Sequence, residues 1–258
     1  MRRSRRKPKT DSGGPRGGWH KSRRSGLLKW VGIALLAWVV ITASLVLSMR
    51  WVQPYTSAFM LSSRLQAMRS GNLDYRNRYE WVELERISPN AGLAVIAAED
   101  QQFPYHFGFD LKSIRKAAQH NEHSKRVRGA STISQQVAKN LFLWSGRSYL
   151  RKGLEAWFTM LIEAMWPKQR ILEVYLNIAE LGHGVYGVEA ASRKFYRHSA
   201  SRLTRAEAAT LAAVLPNPRR MRADYPSRYV VSRRNWIVEQ MRMLGGSAYL
   251  RQVKALDT

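Results

Sequence analysis

Between Lys29 and Arg50 lie twenty consecutive residues without a charge, Trp30 to Met49 (WVGIALLAWVVITASLVLSM). As a helix this run would be about 30 Å long at 1.5 Å per residue, the thickness of a bilayer's hydrocarbon core. It predicts a transmembrane helix over 30–49, and that constrains everything around it. A cleaved signal sequence is the competing reading, but its apolar region would be shorter, and the small residues Thr42 to Ser44 lie inside the run instead of after it. Residues 1–29 hold eleven Lys or Arg against one acid, Asp11. So little apolar surface cannot offset the entropy of ordering, and the segment reads as a disordered basic tail. Positive charge before the span, with Trp30 and Trp51 near its two ends, predicts a cytoplasmic N-terminus and an extracytoplasmic chain after Arg50.

The formal net charge of +25 calls for an anionic partner: nucleic acid, a phosphorylated substrate or an anionic membrane. Placement outside the cytoplasm argues against nucleic acid. The chain has no cysteine, which excludes disulfide scaffolds, thiolate zinc sites and cysteine nucleophiles.

The 208 residues after Arg50 contain no low-complexity segment and no solenoid repeat, so they are expected to form one domain, with 50–88 as a juxtamembrane segment and 89–258 as the main body. Helical periodicity dominates and predicts a mostly α fold. Helices are expected over Gln53–Ser70, from Pro89 through AGLAVIAAED, and over Leu111–His120, Thr132–Leu143, Leu150–Met165, Lys168–Ala179, Gly187–Tyr196, Arg205–Leu215 and Ser227–Leu244. The stretch GNLDYRNRYEWVEL reads as a loop with at most a short strand. No Rossmann or P-loop glycine pattern occurs.

Three segments carry chemistry. AVIAAED ends an apolar helix on Glu99 and Asp100; a carboxylate at such a rim loses solvation and becomes a better proton acceptor near neutral pH, or else it caps or pairs with a neighbour. In RGASTISQQVAKNLF, Thr132 and Gln135 have capping-box spacing, and the helix N-terminus they open would be an anion site. Gln135 and Lys139 fall on one side at i, i+4, as do Gln136 and Asn140, while Ile133, Val137 and Leu141 take the other; an ordinary amphipathic helix would show the same pattern. SGRSYLRKGLEAWF adds Arg147, Arg151, Lys152 and Glu155, either a solvated i, i+4 ion pair or part of a cation cluster suited to a diphosphate. His120 and His123 flank Glu122 without a third ligand, which favours a solvated segment over a metal site. His183 between two glycines reads as a turn.

EDQQFPYHFGFD, GASTISQQVAKN, RKGLE, KQRILEVYLN and AAVLPNP occur in the order and spacing of the peptidoglycan glycosyltransferases, which polymerise lipid II into glycan strands. Over about Leu93 to Met241 the chain resembles that family, and more narrowly its monofunctional, biosynthetic members. A transpeptidase is not expected beside it. Ser113 to Lys116 and Ser88 to Asn90 imitate two of the needed elements in the wrong order, and no Lys-Thr-Gly occurs.

The resemblance implies a lysozyme-like, mostly α glycosyltransferase domain behind a single N-terminal transmembrane helix. It implies Glu99 as the base that takes the proton of the acceptor's 4-hydroxyl. Ser131, Thr132, Gln135, Gln136, Lys139, Asn140, Arg147 and Arg151 are implied to line the donor's sugar and diphosphate region, and Glu155 to be a second essential acid that orients cations or helps hold a divalent metal (Mg or Mn). Lys168, Tyr175 and Asn177 are expected to be structural support. The implied partners are lipid II, the nascent strand and the membrane, together with cell-wall synthesis or division proteins; the implied location is the cytoplasmic (inner) membrane. Between the first two motifs the family is often apolar, whereas LKSIRKAAQHNEHSKRVRG is basic, which points to headgroup contact.

The leaving group dictates the expected mechanism. A glycosidase must protonate a poor alkoxide and needs two carboxyls flanking the bond. A lipid diphosphate leaves once cations neutralise its charge, so one base with Lys139 and Arg147 suffices. Two other classes compete: a lytic enzyme, which would shorten glycan instead of lengthening it, and a non-enzymatic basic scaffold whose binding would depend on the tail.

Overall fold

The computed structural model describes residues 19–123, 129–146 and 148–255. It is mostly helical and divides into two units, one ending at Ser44 and one running from Leu45. The first unit is the body of α1 (Trp19–Ser48), which contains one apolar stretch long enough to cross a membrane, Gly26–Ser48, with a mean hydropathy of 2.4. Its helix starts before the expected boundary at 30, so residues 19–29 are helical rather than tail. Once the apolar turns are formed, extending a helix costs only one residue's ordering per bond gained. Residues 1–18 lie outside the described residues.

In the second unit, α2 (Ala58–Arg69) is shorter than expected, because Pro54 holds the chain extended and Ser57 then caps the helix by accepting from the Met60 amide at 3.2 Å. α3 (Pro89–Glu99) starts on a proline at its first position, where no amide is needed, and buries every residue from Ala91 to Ala97. α4 (Leu111–His123), α5 (Ile133–Phe142), α6 (Tyr149–Met165) and α7 (Lys168–Ile178) follow close to their expected limits. So do α8 (Val188–Tyr196), α9 (Arg205–Val214) and α10 (Arg228–Met243). A last helix, α11 (Ser247–Ala255), was not expected; among its described side chains it buries Tyr249 and Val253, one turn apart, too thin a stripe to read against its polar background.

A small sheet closes one side. β1 (Arg78–Tyr79) runs parallel to β3 (Val185–Tyr186), and β2 (Glu180–Gly182) pairs antiparallel with β3, giving the order β1, β3, β2. His183 and Gly184 form the turn between β2 and β3, with Gly184 at φ +68°. The core is shared by α3, α5, α7 and α9; Ile96, Ile133, Ile171 and Ala209 are fully buried. The juxtamembrane chain belongs to this body. Asn177 on α7 uses its amide to accept from the Val82 N–H and donate to the Val82 carbonyl, both at 2.9 Å, which is the support role expected of it.

Candidate active site

The apolar run of α3 delivers Glu99 and Asp100 to one place, and their surroundings differ. Glu99 is 17% exposed. Its Oε2 accepts from the Gln136 side-chain amide on α5 at 2.8 Å, and Arg233 on α10 stands 3.6 Å from its Oε1. The Gln136 carbonyl oxygen in turn accepts from the Tyr175 hydroxyl at 3.1 Å, which fixes the amide's direction. Burial raises the Glu99 carboxyl above its ordinary range, while Gln136, Arg233 and Lys139 pull it back and Asp100 adds to the rise. The outcome is a desolvated acid with a stronger affinity for a proton.

Asp100 is buried and serves the fold. Its Oδ2 accepts from the Ile133 amide, the first of α5, at 3.0 Å, and both its oxygens lie within 3.0 Å of His106 Nε2. Beside it Thr132 and Gln135 form the expected capping box: Gln135 N–H donates to the Thr132 hydroxyl at 3.2 Å, and Thr132 N–H donates to Gln135 Oε1 at 3.0 Å. The Thr132 hydroxyl also donates to the Gly108 carbonyl at 2.6 Å. The carboxylate at this helix N-terminus is the protein's own, and Thr132 and Gln135 are buried in the cap. Gly108 lies at φ +77°, and a Cβ there would come within 2.7 Å of Thr159, so the close approach of this loop to α6 requires glycine.

One turn beyond Gln136, Lys139 is half-buried, its ammonium 5.5 Å from the Phe59 ring centroid. Burial pushes its pKa down, opposed by Glu155 and Glu99 and reinforced by Arg151 and Lys152. Lys139 and Glu99 thus lie within electrostatic reach of each other, and α5 carries the groups that connect them. Glu155 is buried and accepts from Arg151 at 3.0 Å and from Lys152. Ser131 is exposed at the entrance to α5, and Asn140 is buried on it. Arg147 lies outside the described residues. Lys168 donates to Glu163 at 2.8 Å and to the His106 carbonyl at 2.7 Å, and Glu163 also accepts from Ser134, a support cluster behind the cap.

Sequence reasoning missed Arg233; it left open that one of Glu99 and Asp100 caps or pairs with a neighbour, which is what Asp100 does, and it treated Tyr175 as support when its hydroxyl orients the amide on Glu99. The two carboxylates nearest the cations are already engaged, Glu155 by Arg151 and Lys152 and Glu99 by Gln136 and Arg233. Among the described residues no three His, Asp or Glu side chains gather in one place.

An apolar helix that fits a single-pass membrane anchor is followed by a helical body in which a desolvated acid lies within electrostatic reach of a buried lysine. The family model described as Transglycosylase matches residues 66–242, and the chain belongs to that family. It is 52% identical over 231 residues, 90% of this chain and 93% of the relative, to a biosynthetic peptidoglycan transglycosylase of Xanthomonas campestris pv. campestris (strain B100). Proteins of the same description from Klebsiella oxytoca and Escherichia coli (strain ATCC 8739) are 62% and 59% identical over 196 and 197 residues, each 76% of this chain and 81% of the relative.

Proposed function

We propose that this chain polymerises lipid II into linear peptidoglycan strands, with Glu99 as the general base. The observation that carries the assignment is the desolvated Glu99 carboxylate, oriented by Gln136 and within electrostatic reach of Lys139. Glu99 takes the proton from the 4-hydroxyl of the acceptor N-acetylglucosamine. The oxygen attacks the anomeric carbon of the donor's N-acetylmuramic acid, the bond from that carbon to the diphosphate oxygen breaks, and the configuration inverts from α to β. Undecaprenyl diphosphate departs with the bonding pair. Lys139 and Arg147, with the Arg151 and Lys152 side chains arrayed around Glu155, compensate the charge that grows on it. Positioning of two lipid-linked sugars supplies much of the remaining acceleration.

The same reading puts Gly26–Ser48 across the cytoplasmic membrane, the N-terminus in the cytoplasm and the chain after Ser48 outside it, where lipid II and the nascent strand meet cell-wall synthesis or division proteins. The basic α4 fits headgroups, and Ser131 and Asn140 flank the donor region. The test uses purified protein, labelled lipid II and detergent, with polymer resolved on a gel. Glu99→Gln is expected to abolish polymer while lipid II binding stays within about threefold of wild type, since one neutral isostere alters little ground-state contact. Full activity in that variant would remove the base. Shortened fragments from purified sacculi, with no polymer from lipid II, would favour the lytic reading.

A further inference from the structure

The first turn of α3, remote in sequence from the end that carries Glu99, borders a cavity of about 300 Å³ that the reaction does not use. Its lining is apolar: Ile87, Leu172, Leu176 and Val253 are buried, and Leu84 and Leu250 are half-buried. Gly92 also borders it, and a Cβ there would come within 3.2 Å of Leu172, so α3 approaches α7 closely at this point. The part contributed by α11 lies beyond residue 242, where the family match ends.

Size and lining select the occupant. The volume is at the lower limit for small-ligand sites, roughly 300 Å³, and too small for a helix about 10–12 Å across. A sugar or phosphate would lose its hydration among these side chains and regain few partners. A slender hydrocarbon chain loses nothing there. The position of the cavity says where such a chain comes from. Beside Leu84, Glu83 accepts from the Gln53 side-chain amide at 3.3 Å. Gln169 lines the cavity, and the next residue, Arg170, donates to the carbonyls of Met49 and Val52 at 2.9 and 2.7 Å. This edge is thus tied to residues 49–53, which follow the end of α1 at Ser48. Trp51 there is 69% exposed, with the Arg50 guanidinium 5.3 Å from its ring centroid, as suits an anchor at a headgroup layer. Glu85 and Arg251, both exposed, border the same cavity, and among the described residues no ion pair joins them. A headgroup with a phosphate for Arg251 and an ammonium for Glu85 matches both, whereas a purely anionic headgroup would face the Glu85 carboxylate uncompensated.

We propose that this cavity holds one acyl chain of a zwitterionic phospholipid, with the phosphate at Arg251 and the ammonium at Glu85. The proposal rests on the reading of Gly26–Ser48 as a membrane span and is separate from the chemistry at Glu99. Gly92 and Glu99 lie about two turns apart on α3, so the lipid would pack against the helix that delivers the base.

Full-length protein is reconstituted into phosphatidylcholine vesicles containing a phosphatidylcholine with a diazirine at the methyl end of one acyl chain, then irradiated and mapped by mass spectrometry. The methyl end of a chain that stays in the bilayer sits near the midplane, where only α1 passes. Wild type is expected to carry adducts on α1 and a second set on residues 84–92, 169–176 or 247–253. Ser247→Trp, at an exposed position bordering the cavity, is expected to lower the second set about tenfold relative to α1, and Leu250→Glu to do the same by placing a charge in the apolar wall. In phosphatidylglycerol vesicles the second set should fall about threefold, the size of effect an exposed charge gives. Adducts confined to α1 in wild type, or an undiminished second set in Ser247→Trp, overturn the site. Equal labelling in phosphatidylglycerol overturns the headgroup assignment. Absence of any adduct on α1 overturns the span, and the lipid site with it, while polymer formed from lipid II in detergent would still uphold the reaction.

Discussion

Glu99 accepts a proton only when ionised, and Lys139 steadies a diphosphate only when protonated. Burial raises the first group's pKa and lowers the second's, so both limbs of the rate profile move inward from where exposed side chains would put them. A narrow bell in initial rate against pH is the expected result, read from single-turnover coupling of labelled lipid II. Gln136→Leu should push its acid limb higher still, because the hydrogen bond from Gln136 is the largest influence holding Glu99 ionised against burial. An acid limb that does not move would detach Gln136 from the base. The same shift has a sign for stability. With its folded pKa above the unfolded one, Glu99 favours the fold below the unfolded value, and that contribution is lost as pH rises through the folded value. At pH 7.5 the ionised group opposes folding, and Glu99→Gln should melt above wild type, the gap closing as pH falls through the carboxylate range. Equal melting curves at both ends would contradict the desolvation inferred for this site.

At the scale of elements, the site depends on the register between α3 and α5, and Asp100 sets it by holding the first amide of α5 against the end of α3. Asp100→Ala leaves that amide and the facing His106 nitrogen unpaired in a buried place, a loss of about 1–3 kcal/mol. Denaturant unfolding would read the cost. Polymerisation at permissive temperature should fall as well, because Gln136, one turn along, no longer meets Glu99 squarely; normal activity with lowered stability would confine Asp100 to the fold. Much of this was legible in the chain. The apolar alternation of α5 and α6, the capping box and the proline opening α3 are local signals, and the helices followed them closely. The pairing of Arg233 with Glu99 was not legible, because it joins elements far apart in sequence and SRRNW on α10 looks like any solvated basic turn. Strands of two or three residues are too short to show alternation, so β2 and β3 left no signal, although the turn at His183 between them did. The partner of the first α5 amide was hidden for a related reason: spacing reveals a helix N-terminus, but not which carboxylate the fold has placed there.

At the scale of the molecule, the question is where the catalytic body begins, and its hydrogen bonds place the start ahead of the juxtamembrane segment. Trp166, 4% exposed, donates its indole N–H to the Val46 carbonyl at 2.7 Å. Arg170 donates to the carbonyls of Met49 and Val52 at 2.9 and 2.7 Å and pairs with Glu173 at 2.6 Å, its guanidinium lying over the Trp81 ring. Buried Trp166 and half-buried Arg170 thus hold the chain on both sides of Arg50, and Val46 is itself fully buried in the core. Cutting the chain at Pro54 would strand both donors, a loss on the order of 2–4 kcal/mol. A chain beginning at Leu45 keeps every one of these partners. The expectation is that the Leu45 chain unfolds at the same denaturant midpoint as the full protein in the same detergent, while the Pro54 chain unfolds clearly earlier. Matching midpoints for the two shortened chains would show that the residues flanking Arg50 act only as a tether, and that the body is complete without the end of its anchor. Because Lys168, which steadies the loop behind Asp100, and Tyr175, which orients Gln136, both sit on α7 beside Arg170, loss of this grip should also lower polymerisation by the Pro54 chain at temperatures where it is still folded.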